Sequence, residues 1–354
     1  MKFLILNTDY SLFLRWLYAE NAGLEKKPYE EQMLARNESL FGVADFYSSN
    51  LKKLGHEAWD IHANNEFMQR AWAREHGICS DEPKQPPQGA IEFLQGVRRL
   101  ASKTPLRLLK PIFRPLLNLL DKQRTWFYDI LGAQIKCYKP DILLIFDMSG
   151  IGTHFLKEMK QYVRLVVGQH AAPLRYDQDF SIYDLVISSL PSFVDYFRRI
   201  GIHGEPLWLG FEPFILGKVG KVEKSIPVSF VGGLSPSHAL RKRWLEGVCQ
   251  HVRVDVWSQS IEELHDGSPI FSCYKGSAWG LKMYHILQAS RITLNHHIDA
   301  AGPYANNMRL FEATGVGTLL VTDWKENLHE MFEPGKEVVA YHSSEECAEL
   351  ISYY

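Results

Sequence analysis

The chain has 354 residues, 46% of them hydrophobic, and carries a formal charge of −2 at pH 7. This length and apolar content suffice for two buried cores, and the balanced charge excludes recognition of nucleic acid through a whole-molecule field. Cys79, Cys137, Cys249, Cys273 and Cys347 lie far apart, without CxxC pairing or zinc spacing, and read as reduced thiols of a cytoplasmic protein.

The opening MKFLILNTDY reads as a short buried strand, not a signal peptide. No run reaches the roughly eighteen apolar residues of a membrane span. Apolar runs at 3–6, 142–146, 164–167 and 185–188 are each followed by helical spacing. This alternation implies a parallel sheet covered on both faces. Between 30 and 54 the spacing predicts a helical segment that buries Met33, Leu34, Phe41, Val43, Phe46, Leu51 and Leu54; Gly55 ends it and HEAWDI begins the second strand.

Residues 80–136 break the alternation and read as a helical insertion cut by Pro111 and Pro115. Within about 96–124, Arg98, Arg99, Lys103, Arg107, Lys110 and Arg114 interleave with leucines. Three uses fit: a solvated basic face, peripheral contact with the inner face of an anionic membrane, or contact with an acidic acceptor.

Two strand ends of this first half carry polar side chains. LLIFDMSGIG places Asp147 where it can orient a neighbour, bind sugar hydroxyls or cap the helix after Gly150. RLVVGQHAAP places His170 where it can donate to a substrate oxygen, shuttle a proton or bond to backbone. The glycines and prolines of 201–225 have the composition of a connector, so a boundary near 217 is expected, with domains 1–217 and 218–354.

A second cycle of strands is expected at PVSFVGG, VRVDVW, RITLNHH and GTLLVTD. Gly232 and Gly233 permit close backbone approach by a ligand, and Arg241 can neutralise a diphosphate or be a surface charge. Tyr284 is expected ahead of a helix, where its ring can bracket a nucleobase. His296 and His297 have no third ligand at a recognisable spacing, so no metal site is expected.

The stretch 305–323, ANNMRLFEATGVGTLLVTD, predicts a helix capped by Asn306 or Asn307 and stopped by Gly315 and Gly317, then a buried strand. Glu312 falls about a turn and a half inside this helix. Phosphates would sit at the helix mouth and ribose hydroxyls on the Glu312 carboxylate; the alternative is an ordinary helix–strand pair with a solvated glutamate. The final EECAELISYY reads as a helix without a cap.

FVGGLSPSHALRKRWL, GLKMYHILQASRITLN and NNMRLFEATGVGTLLVTDWKENLHEMFEPGKEVVAYHS together resemble the donor half of the spore-maturation CgeB-type glycosyltransferases, relatives of glycosyltransferase family 4. The likeness is most specific over 276–343 and loose over the first domain. It implies an α/β GT-B fold, two Rossmann-like domains facing across a cleft. It also implies a UDP-, GDP- or dTDP-sugar donor on the second domain and a glycan, lipid-linked or protein acceptor on the first. Transfer would be retaining and metal-independent, with no cofactor. By position, Glu312 would bind ribose, the amides around Asn306 and Asn307 diphosphate, and His170 the donor sugar. Where that family has an earlier glutamate, this chain has Tyr304. The closing helix that usually crosses back to the first domain is expected to be missing. Two rival readings stay open: a nucleotide-sugar epimerase of the same fold, and a non-catalytic nucleotide-sugar-binding partner protein.

Overall fold

The computed structural model of the chain describes residues 1–78, 125–173, 178–235, 238–262, 264–305 and 307–354. The basic stretch 96–124, with its membrane reading, and Asn306 lie outside the described residues. Among those described, no helix is long and apolar enough to cross a membrane.

The first half runs β1 (Lys2–Asn7), α1 (Ser11–Glu20), α2 (Tyr29–Glu38), α3 (Phe46–Lys53), β2 (Glu57–His62), α4 (Glu66–Glu75), α5 (Thr125–Tyr138), β3 (Ile142–Ile145), α6 (Thr153–Met159), β4 (Leu165–Gln169), β5 (Leu185–Ser188), α7 (Pro191–Arg199) and β6 (Gly204–Pro206). Its six described strands are parallel, in the order β2-β1-β3-β4-β5-β6. Leu4, Ile5 and Leu6 are all buried, which needs cover on both faces. Leu131 and Ile135 of α5 pack with Leu4 and Leu6, while Tyr47 and Leu51 of α3 pack with Ile5.

The connector carries α8 (Phe214–Val219), inside which the boundary proposed near 217 falls. The second half follows with β7 (Ile226–Val231), α9 (Ala239–His251), β8 (Asp255–Trp257), α10 (Ile270–Cys273), α11 (Gly280–Ala289), β9 (Ser290–Asn295), α12 (Met308–Gly315), β10 (Leu319–Asp323), β11 (Val339–Tyr341) and α13 (Ser344–Tyr353). Its strands are also parallel, ordered β11-β10-β9-β7-β8. Helix α13 packs on α9, where a side chain on Gly247 would meet Ser344 at 2.8 Å.

Both sheets reverse their strand order at one place. β1 lies between β2 and β3, and β7 lies between β8 and β9. Chains that leave such neighbours diverge to opposite faces, so a crevice opens at the carboxyl ends.

The helical segment expected over 30–54 is two helices. The turn between them holds Leu40, Gly42 and Ala44 at positive φ. Leu34 and Leu54 are 58% and 73% exposed, against the expectation, whereas Tyr29, Gln32 and Arg36 are buried on α2. The reason is a buried carboxylate: Arg36 turns inward to meet Asp9 at 2.7 Å, so this helix buries a polar face. The turn then carries Phe41 into a stack on Phe13 (4.1 Å between ring centroids) and against Trp279 (5.0 Å). There the two halves meet, and the Leu281 amide donates to the Ser39 carbonyl at 2.8 Å.

Candidate active site

One cavity of about 450 Å³ receives the residues that follow β1 and β3 on one side and β7 and β9 on the other. Both switch points therefore open into the same space, the arrangement in which α/β sheets hold ligands.

On the first wall, Asp9 follows β1 and holds two partners, Arg36 Nη2 at 2.7 Å and His62 Nδ1 at 2.9 Å. Burial by itself would raise the Asp9 pKa, but His62 and Arg36 outweigh it and hold the carboxyl well below the usual carboxylate range. Because the folded-state value is depressed, this contribution to stability is complete above the unfolded value of about 3.9 and is lost as the pH falls below it. Acid unfolding of Asp9→Asn should accordingly show a shallower loss of stability below about pH 4 than the wild type. Equal slopes would remove the cluster from the acid response.

Asp147 follows β3 and lines the same cavity. Its carboxylate accepts from Thr8 Oγ1 at 2.8 Å, Ser149 N at 3.1 Å and Gly150 N at 2.9 Å. Most of its hydrogen-bonding capacity is thus spent, two bonds on the turn before α6 and one on Thr8. His170, at the end of β4, does not line the cavity: its ring is buried edge-on against Phe193 and Phe197. Burial lowers its pKa, partly opposed by a hydrogen bond to the Ala172 backbone and by Asp147.

The second wall is built around Arg241, which is 8% exposed and reaches from α9. Its Nε donates to the His296 carbonyl at 2.8 Å and its Nη1 to the Gly233 carbonyl at 3.0 Å, tying the ends of β7 and β9 together. Desolvation brings its pKa down to about 10, so it remains a cation at neutral pH. Gly232 lines the cavity beside it, whereas Gly233 takes part through its carbonyl.

Asn307 occupies the cap position of α12 but makes no cap hydrogen bond; its Nδ2 donates to Asn295 Oδ1 at 2.7 Å. The amino end of α12 thus opens on the cavity, which Asn307, Met308 and Arg309 line. Glu312 is 6% exposed and lines the cavity from the same helix. Its carboxylate meets Arg309 Nη1 at 2.9 Å and accepts from the Tyr284 hydroxyl at 3.5 Å.

Tyr284 stands inside α11 instead of ahead of it and is 1% exposed, so its ring packs in the core and only its hydroxyl reaches a site residue. Sequence reasoning overlooked Arg309. Its signal was available, because a charge three positions before Glu312 on a helix shares its face.

The histidines after β9 are engaged with neighbouring side chains, although His296 also lines the cavity. His297 Nδ1 lies 2.6 Å from Asp323 Oδ1, and His296 stacks on Trp244 with Nδ1 at 3.0 Å from the Tyr341 hydroxyl. Burial pushes the His296 pKa down to about 4. Among the described residues, no group of three or more His, Cys, Asp or Glu could hold a metal ion.

A second cavity, of about 330 Å³, adjoins the first: Val43 and Met308 line both, and Phe46, Leu51 and Phe211 make it largely apolar.

Residues 239–354 match the family described as Glycosyl transferase-like. No curated protein matches the chain. Among solved structures it is similar to Anabaena Alr3699/HepE in complex with UDP-glucose, with a TM-score of 0.52 and 14% identity over 100% of this chain and 89% of that one. Sucrose-phosphate synthase from Thermosynechococcus elongatus gives a TM-score of 0.53 at 10% identity over 100% and 89% of the two chains. OtsA gives a TM-score of 0.52 at 14% identity over 99% and 90%. At these identities the likeness speaks for the fold: the chain has the two-sheet GT-B architecture, and its residues 239–354 carry a glycosyl transferase-like domain.

Proposed function

We propose that this chain is a glycosyltransferase that takes a nucleotide-sugar donor on the second wall of the cavity and an acceptor on the first. The observation that carries the reading is the convergence of both switch points on one cavity whose second wall presents Arg241, the amino end of α12 and Glu312. Diphosphate belongs beside the α12 amides and Arg241, where the helix dipole and a guanidinium favour anions. Glu312 then accepts from the ribose hydroxyls. The UDP-glucose held by the HepE structure makes a uridine diphosphate sugar the first donor to try.

The transferred sugar would lie between the walls, near Asp147. The neighbouring apolar cavity offers room for a non-polar part of the acceptor. We take transfer to be retaining and metal-independent, as in the CgeB-type enzymes this chain resembles, with the departing diphosphate receiving the acceptor proton on the face it leaves. Catalysis then rests on positioning and on stabilising leaving-group charge.

Thermal-shift titration with UDP-, GDP-, dTDP- and CMP-sugars tests the reading, since a ligand at a hundred times its Kd stabilises by about 2.7 kcal/mol. No shift with any of them would overturn it. Product analysis separates the rivals: epimerised nucleotide sugar marks an epimerase, while free nucleotide with a glycosylated product marks a transferase.

His170 stands behind the first wall, and we assign it the positioning of the 171–172 turn. His170→Ala should lower turnover about tenfold, a modest share of what a direct proton donor supplies, with donor Kd unchanged. Unaltered turnover would remove that role.

A further inference from the structure

On the second wall of the cavity, Arg309 is the charged residue to which the proposed function gives no task. It sits in the first turn of α12, where the helix dipole disfavours a cation. The helix dipole therefore does not account for it. Its side chain is largely buried: Nη1 forms an ion pair with Glu312 at 2.9 Å, Nη2 lies 3.2 Å from the Met283 sulfur, and neither Nε nor Nη1 has a hydrogen-bond partner among the described residues. A neutral thioether is a poor acceptor for a guanidinium donor. Arg241 lines the same cavity, and the positive charge of Arg309 adds to the burial that lowers its pKa. The wall thus holds two cations that repel each other, one of them satisfied chiefly by the carboxylate expected to bind ribose.

We propose that Arg309 and Glu312 are exchange partners that make the site selective for nucleoside diphosphates over nucleosides. The proposal rests on the nucleotide reading of the cavity. A nucleoside diphosphate gives each member of the pair a replacement at once: phosphate oxygens for Arg309, ribose hydroxyls for Glu312. A dianion between Arg241 and Arg309 also relieves their repulsion. A nucleoside without phosphate must take Glu312 from Arg309 and leave that guanidinium buried without a partner, which is unfavourable. Inorganic pyrophosphate meets the mirror-image penalty, since it strands Glu312.

The test is calorimetric titration of the full chain with pyrophosphate and with uridine, separately, on the wild type, Arg309→Gln and Glu312→Gln. Arg309→Gln should weaken pyrophosphate at least about tenfold and strengthen uridine, because Glu312 no longer has a competitor. Glu312→Gln should do the reverse, strengthening pyrophosphate about tenfold and weakening uridine. Arg309→Lys, a point charge without the fork, should restore most pyrophosphate affinity. Circular dichroism melts establish that each variant is folded. If a substitution moves both ligands in the same direction, or if Glu312→Gln leaves pyrophosphate unchanged, the exchange is overturned and the nucleotide site stands. A wild type that binds neither these two ligands nor UDP, GDP or dTDP overturns the nucleotide reading, and this proposal with it.

Discussion

Replacing Gly280 by alanine is expected to loosen the joint between the two halves. Gly280 has φ +49, and a Cβ there would lie 1.8 Å from the Ser39 carbonyl oxygen and 3.0 Å from the Phe41 amide nitrogen. These are backbone atoms of the opposite half and cannot step aside as a flexible side chain can. Left-handed backbone costs a non-glycine residue roughly 1–2 kcal/mol, and overpacking of a close contact adds roughly 1–3 kcal/mol. The turn that must move carries Phe41, Gly42 and Val43, which line the candidate-site cavity, so nucleotide affinity should fall together with the melting temperature. Gly276→Ala is the control: φ is +99, and among the described residues no atom lies within 4 Å of the place its methyl group would take. It retains the backbone strain and removes the clash. If Gly280→Ala melts no lower than Gly276→Ala, with unaltered ligand binding, the close approach does not hold the halves together.

The second large effect is expected at Glu312. Glu312→Ala removes the carboxylate proposed for ribose and leaves Arg309 and the Tyr284 hydroxyl without their partner at 2.9 and 3.5 Å. Hydrogen bonds to a charged group contribute about 1.5–3 kcal/mol each. Losing two of them, one from each ribose hydroxyl, outweighs the gain from a released Arg309 at the diphosphate. UDP affinity should thus drop by about tenfold to a thousandfold. The lost carboxylate also leaves a buried guanidinium, so the melting temperature should fall modestly while the circular dichroism spectrum is kept. Measured by calorimetry, a UDP Kd equal to that of the wild type would remove the ribose assignment.

Much of the fold was written in the chain because the strands of a doubly covered parallel sheet are continuous apolar runs. The run at 185–188 coincides with β5, and GTLLVTD contains β10. The two strands not expected, β6 and β11, are three residues each, GEP and VAY; β8 is as short, but it ends the apolar alternation VRVDVW, which neither of the other two has. The polar face of α2 was illegible for another reason. Its buried Gln32 and Arg36 look solvent-facing until Asp9, from a distant stretch of chain, is placed beside them.

The candidate site divides in the same way. Glu312 and Asn307 stand at the helix positions their sequence context predicted, since helical periodicity acts within a few residues, although Asn307 makes no cap hydrogen bond. That Asn307 bonds to Asn295, that Tyr284 gives up its ring to the core, and that His170 packs against Phe193 and Phe197 are facts of packing between different elements.

By itself, then, the amino-acid sequence determined the alternation of strands and helices, the two parallel sheets and the motif that bears the glutamate, because apolar runs, glycine turns and helix caps are local instructions. Only the tertiary structure decided that both strand-order reversals open into one cavity and which charges meet there. Such pairings depend on the approach of backbone to backbone at Gly280 and Ser39 and on the burial of charge between sheets, and neither quantity exists before the chain is folded.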